Sequence, residues 1–276
     1  HVPRNRGADH MCLEPDNCTH LWLYALDDHY LKRNPHYAAP NGKHHVSNVP
    51  GASPIFPISQ TLTRFNDFDK VDRFTSACSP IVYRDELFWS DQQSAISGQQ
   101  ENVSHVFICE PVHNLVHRET VRADGSTFAS QRADDEQTSE FLASSDNWFR
   151  PTMVRTGPDG ALWISDMYRL VIEHPEWIPM SWQEKLDLRA GQDQGRIYRV
   201  VPTNVERRAA IHLDKLDTLG LVQALDSPNG WQRDMAQQML LWKHDSEAVD
   251  ALQQLALNAV RPTTRLHALC TLEGMS

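Results

Sequence analysis

Residues 146–168 read DNWFRPTMVRTGPDGALWISDMY, and the alternation within this stretch decides the fold class. Pro158-Asp159-Gly160 reads as a tight turn, because Gly accepts the positive φ that hairpin turns require. Short runs of β-branched and aromatic residues flank it. In the second run Leu162 and Ile164 share one face, and Ala161 and Trp163 share the other. Pro151 cannot donate to a β-ladder, so Arg150-Pro151 marks the entry to a strand. The stretch reads as a β-hairpin.

The same grammar extends over residues 1–201. Apolar runs at 20–26, 79–83, 105–109, 114–120, 127–132, 153–155, 161–165 and 195–201 are separated by turn-forming residues. Residues 123–126 (ADGS) read as another hairpin turn, and only a short stretch near 181–189 has a helical period. Many short strands with regular turns mean a sandwich, a barrel or a propeller. After Pro202 the period changes to that of a helix. Amphipathic runs occupy 213–225, 231–242, 247–257 and 263–272, with a break at Ser227-Pro228-Asn229-Gly230. Arg233 and Arg265 are 32 residues apart, as are Ala236 and Ala268, and Leu240 and Leu272. A helix-pair repeat of this length is the mark of a HEAT-like solenoid, here over residues 202–276.

Bulk composition narrows the function classes. The 276 residues are 40% hydrophobic and 22% charged, a globular balance, and the net charge of −10 argues against nucleic acid or an anionic membrane as partner. No apolar run approaches the roughly 18 residues of a membrane span. The chain starts at His1 without Met or a signal peptide and stops at Met275-Ser276 in or just after a helix; both ends read as cut, with further repeats expected beyond. Cys12, Cys18, Cys78, Cys109 and Cys270 form neither CxxC nor CxxCH, so neither structural zinc nor covalent heme is expected. Cys12 and Cys18 flank a Pro-Asp-Asn turn and could pair in an oxidising compartment; Cys78 and Cys109 lie in apolar strand-like runs, where a buried free thiol is the plain alternative.

Residues 146–168, with 169–175 (RLVIEHP) and 187–202 (DLRAGQDQGRIYRVVP), resemble a family abundant in planctomycetes and their relatives, the large secreted membrane-bound dehydrogenase-domain or heme-binding CxxCH proteins. Residues 29–35 (HYLKRNP), 56–59 (FPIS), 74–78 (FTSAC), 106–118 (VFICEPVHNLVHR) and 229–236 (NGWQRDMA) match as well, so the resemblance covers almost the whole chain. It implies a mainly β protein: the C-terminal blades of a β-propeller over residues 1–201, similar to quinoprotein glucose and sorbosone dehydrogenases, followed by HEAT-like α-helical repeats. It implies an extracytoplasmic protein that oxidises a sugar or alcohol and passes electrons to a c-type cytochrome domain. Pyrroloquinoline quinone and Ca²⁺ would serve the full-length parent, and heme c a domain outside this chain. The family's CxxCH is absent, since Cys18-Thr19-His20 is not one, and so are the early blades that carry the catalytic His of the quinoprotein relatives. The catalytic residue is therefore not assigned, and residues 85–102 read as a polar insertion.

The resemblance further implies that Arg150, Asp166, Tyr168 and His174, with Glu110, Asn114, His117 and Arg118, lie near the mouth of a channel and bind substrate or cofactor. An Arg there could clamp a carboxylated quinone or an acidic sugar, and an Asp could take a proton or hold Ca²⁺. The structural alternative is an Arg150–Asp166 ion pair that fastens adjacent blades. Glu110, His113, Asn114 and His117 could bind a metal or sugar hydroxyls, or could be loop residues bonded to the backbone. A non-catalytic scaffold that binds carbohydrate or protein is the rival function.

Overall fold

The structure, a computed structural model, describes residues 54–60, 73–89, 103–124, 127–206, 208–209 and 211–276, together with the backbone of three strands, β1 (Cys12–Glu14), β2 (Trp22–Tyr24) and β3 (Lys43–His45). The Cys12–Cys18 pairing lies outside these described residues. Strands β4 (Cys78–Val82), β5 (Ser104–Glu110), β6 (Leu115–Asp124) and β7 (Thr127–Arg132) form an antiparallel meander, and β8 (Leu142–Ala143) pairs with the start of β6. A separate antiparallel sheet has the order β11-β10-β9, from β9 (Pro151–Thr156), β10 (Leu162–Asp166) and β11 (Arg196–Val200). The hairpin read around Pro158-Asp159-Gly160 is β9–β10, with Gly160 at φ +84°. Strands β6 and β7 pair as far as Asp124↔Thr127, and the turn read at ADGS has residues 125–126 outside the described residues.

The partial β-propeller is wrong. Among the described residues the sheets are β1-β2-β3, the β4–β8 sheet and β9-β10-β11, accompanied by five helices, with no closed barrel or propeller; the protein is mixed α/β. The cause lies in the packing of β5. Its Val106 and Ile108 join Ile55, Phe74, Leu115 and Val121 on one face, while Phe107 and Cys109 join Val116 and, from the other sheet, Val154, Leu162 and Ile164. The second sheet thus lies against the first through a shared apolar layer. Short strands and turns report which neighbours pair; they do not report how sheets are disposed about an axis.

The helical part holds α2 (Thr218–Ala224), α3 (Gly230–Lys243), α4 (Ala248–Asn258) and α5 (Pro262–Gly274); a four-residue α1 (Met180–Gln183) precedes them, between β10 and β11. Helix α2 packs on α3, α4 packs on α5, and the pairs meet through α3 with α5 and α2 with α4. The 32-residue spacing has a physical counterpart. Arg233 donates to the carbonyls of Ser227 and Pro228 at 2.7 and 2.9 Å, and Arg265 donates to those of Ala259 and Val260 at 2.7 and 3.1 Å. Each arginine closes the loop before its own helix in the same way. Ala236 and Ala268 are both fully buried, where small side chains let helices approach closely.

The helices dock on the sheets through one polar seam. Asn229 caps α3 by accepting from the Gln232 N–H at 2.8 Å, and its Nδ2 donates to Asp85 Oδ2 at 2.7 Å and to the Gly157 carbonyl at 2.8 Å. Arg84 makes a two-point pair with Asp234 at 2.7 and 3.0 Å, and its carbonyl accepts from the Gly230 N–H at 2.6 Å. A Cβ at position 230 would fall 2.6 Å from Arg84 Nε, so only Gly fits this approach. Asn229→Ala removes a cap and strips a buried carboxylate of a donor. It should destabilise the protein by about 2–4 kcal/mol, read as a lower urea midpoint with an unchanged slope.

Candidate functional site

Most of the candidate residues gather where β5 and β10 end and β9 begins, and local backbone geometry explains why. Asn114 sits in the left-handed region at φ +59°, ending the turn after β5, and its Nδ2 donates to the carbonyls of Asn147 and Phe149 at 3.1 and 2.5 Å. Asp166, at the end of β10, accepts from the Arg150 and Tyr168 main-chain N–H groups, both at 2.8 Å. Tyr168 is itself left-handed at φ +52°. Its ring packs on Trp148 and lies under Arg196, whose guanidinium carbon is 3.5 Å from the ring centroid.

Arg150 is buried and reaches the carbonyls of Arg169 (2.9 Å), Pro111 (2.9 Å), Val112 (3.1 Å) and Leu170 (2.9 Å). Arg150 and Asp166 therefore meet through a backbone N–H, and the guanidinium binds loop carbonyls. Glu110 is fully buried and accepts from Thr75 N–H at 3.1 Å, Ser76 N–H at 2.9 Å and Ser76 Oγ–H at 2.5 Å. Burial pushes its carboxyl up despite those donors. His174 stands apart: it is exposed and caps the short 3-10 turn Pro175–Trp177, accepting the Glu176 N–H at 3.2 Å.

His117 and Arg118, adjacent on β6, project to opposite faces of their sheet as the strand period demands. His117 lies between Glu140 Oε2 at 2.7 Å and Glu119 Oε1 at 2.9 Å. Burial opposes its charge, but the hydrogen bonds and charges of Glu119 and Glu140 outweigh burial and hold its pKa above the ordinary value. Burial would raise the Glu140 carboxyl; His117 and Arg132 hold it below the usual range. Arg118 pairs with Glu136 at 2.8 Å and with Asp135, and packs over the Trp89 and Phe141 rings. Behind it His105 stacks on Trp89 at 3.8 Å, and burial, then the Arg118 charge, push it down to about 4.

A carboxylated quinone and Ca²⁺ do not fit these residues. Four of the five guanidinium N–H donors that Arg150 has are committed to main-chain carbonyls. Asp166 Oδ2 has no hydrogen-bond partner but is sealed from solvent, and among the described residues no three His, Cys, Asp or Glu side chains converge as metal ligands. Sequence reading missed Asp85, Glu119 and Glu140. Asp85 falls in the stretch read as a polar insertion, yet it is buried and holds the helical part. Glu119 was findable, being two residues from His117 on one strand face; Glu140, distant in sequence, carried no signal.

The fold and its polar groups define a two-part protein, an antiparallel-sheet body with helical pairs docked on it, in which the candidate residues tie loops together. The chain belongs to the family described as Domain of unknown function (DUF7133), whose model matches residues 4–204, ending between β11 and α2. No curated protein and no solved structure matches it.

Two measurements check this electrostatic picture. Arg150→Ala leaves four carbonyls, buried or half-buried, without their donor and should destabilise by about 3–5 kcal/mol in urea melts. The histidines should titrate apart. Stability from His117, whose pKa is raised, is complete below the unfolded value of about 6.5 and is lost as pH rises through its folded value. His105 and His267 are lowered to about 4, by burial first and then by Arg118 and Arg233, so their stability is present above about pH 6.5 and is lost as pH falls toward 4. At pH 6, imidazole NMR should find His117 protonated while His105 and His267 remain neutral.

Proposed function

We propose that the chain is a non-catalytic binding scaffold that holds carbohydrate on the outward face of the β9–β10–β11 sheet. One observation carries the reading: the register of that sheet sets Trp163 between Arg155 and Arg199, and beside this row sets Ser165 between Met153 and Ile197. Trp163 is 38% exposed, and its ring lies so close over Gly157 that a Cβ there would come within 2.3 Å of it. Met153 and Ile197 are exposed as well. An exposed aromatic and aliphatic surface stacks sugar rings, while Arg155 and Arg199, already bonded to Ser79 and to Asp159, frame it on either side. The helical pairs, read as HEAT-like repeats over residues 202–276, would extend the scaffold.

A second reading has one observation in its favour, the long motif resemblance over 146–202 to the dehydrogenase-domain and heme-binding family of planctomycetes. It makes the chain part of an extracytoplasmic sugar or alcohol dehydrogenase whose electrons pass to a c-type heme domain. It requires chemistry from groups other than the eight candidates, which are committed to structure or, in His174, to a helix cap.

Affinity electrophoresis through gels containing soluble glucan, xylan, mannan or polygalacturonate tests the binding reading. At least one polysaccharide should retard the protein, and Trp163→Ala should weaken that retardation at least tenfold with only a small change in Tm. Free migration in all four gels would overturn it.

A further inference from the structure

Cys78 and Cys109 are direct cross-strand partners on β4 and β5. Opposed residues of an antiparallel pair have Cα atoms about 4.5–5.5 Å apart, inside the roughly 4.4–6.8 Å that a disulfide spans. Both cysteines are free in this structure, and each is the largest influence on the other's thiol. Their surroundings differ. Cys109 is fully buried in the layer between the sheets, whereas Cys78 is half-buried, with its sulfur 3.7 Å from the Thr152 carbonyl of β9. Just beyond Cys78 the strand is irregular: Ser79 takes φ +51°, and the register slips between Cys78 and Ile81. A bulge of this kind lets the end of β4 adjust without breaking the rest of the ladder.

We propose that Cys78 and Cys109 form a reversible thiol–disulfide couple, with Cys78 as the attacking thiol, Cys109 as the resolving one and a low-molecular-weight disulfide as oxidant. The neighbouring Cys109 lowers the Cys78 pKa; Cys78 and burial raise that of Cys109. The Cys78 thiolate attacks one sulfur of oxidised glutathione. The glutathione S–S bond breaks, a mixed disulfide forms and one glutathione thiolate leaves. Cys109 then gives up its proton and attacks Cys78 Sγ, expelling the second glutathione. The cysteine pair loses two electrons and two protons, and one glutathione disulfide becomes two thiols. The closed bond ties edge strand β4, and with it the 83–87 segment that holds the helices, to the centre of the sheet.

The test uses the whole chain, purified reduced, then incubated with oxidised glutathione at pH 8, quenched in acid, alkylated and digested with trypsin. The expected product joins the peptide of residues 74–84 to that of residues 85–118, disappears on reduction, and accompanies a Tm increase of roughly 5 °C or more. Cys78→Ser should abolish both the linked peptide and the Tm increase. Three results would overturn the proposal: both cysteines recovered alkylated after oxidation, a lasting glutathione adduct on Cys78, or pairing of either with Cys12, Cys18 or Cys270.

Discussion

Arg150 cannot shed its charge, and its burial obliges the chain to bring acceptors to it. The acceptors are main-chain carbonyls from the turn after β5 and from the segment after β10, so one side chain holds together the exits of strands in two different sheets. Asn114 and Asp166 complete this arrangement from either side. Asn114 donates to the 146–150 approach, and Asp166 accepts from the N–H groups of Arg150 and Tyr168. The two non-glycine residues forced to positive φ here, Asn114 and Tyr168, lie where the chain must turn to present those groups. The strained backbone and the buried charge are two sides of one packing solution.

This explains how residues with the chemistry of a binding site end in structural roles. Arg, Asp, Glu and Asn at strand ends look alike in sequence whether they face a ligand or a carbonyl. The deciding quantity is whether the neighbouring loops fold over them. At β5 and β10 they do: Glu110 is enclosed by Thr75 and Ser76, and Arg150 by residues 111–112 and 169–170. His117 and Arg118 are likewise enclosed by acids, three of them, Asp135, Glu136 and Glu140, supplied by the connection after β7.

Local periodicities were legible. The hairpin at 158–160, the alternation along β10 and the helical runs after 202 each depend on residues close in sequence, where turn chemistry and side-chain period act directly. The 32-residue repeat was legible because each arginine binds carbonyls only five and six residues before it. The disposition of the sheets was not. It depends on Phe107 and Cys109 meeting Val154 and Leu162 across a long separation, and an apolar residue in a strand does not name its partner. Asp85 illustrates the same limit. Among polar neighbours it reads as solvated, and only its bonds to Asn229, 144 residues away, and to Arg208 reveal its burial.

Those distant contacts converge on one short piece of chain. From Ser76 to Glu86 the backbone passes every major part of the molecule. Ser76 binds Glu110 at the end of β5, and Ser79 Oγ accepts from Val154 N–H and from Arg155 on β9. Tyr83 donates to the Gly160 carbonyl at 2.7 Å, fixing the hairpin turn, while Arg84, Asp85 and Glu86 meet Asp234, Asn229 and Arg261 of the helical part. A segment bonded at once to both sheets and to the helices couples their unfolding, because releasing it exposes the interface of each. Its polar residues, of which Asp85 and Glu86 fall in the stretch read in sequence as a polar insertion, tie the sheets to the helical pairs.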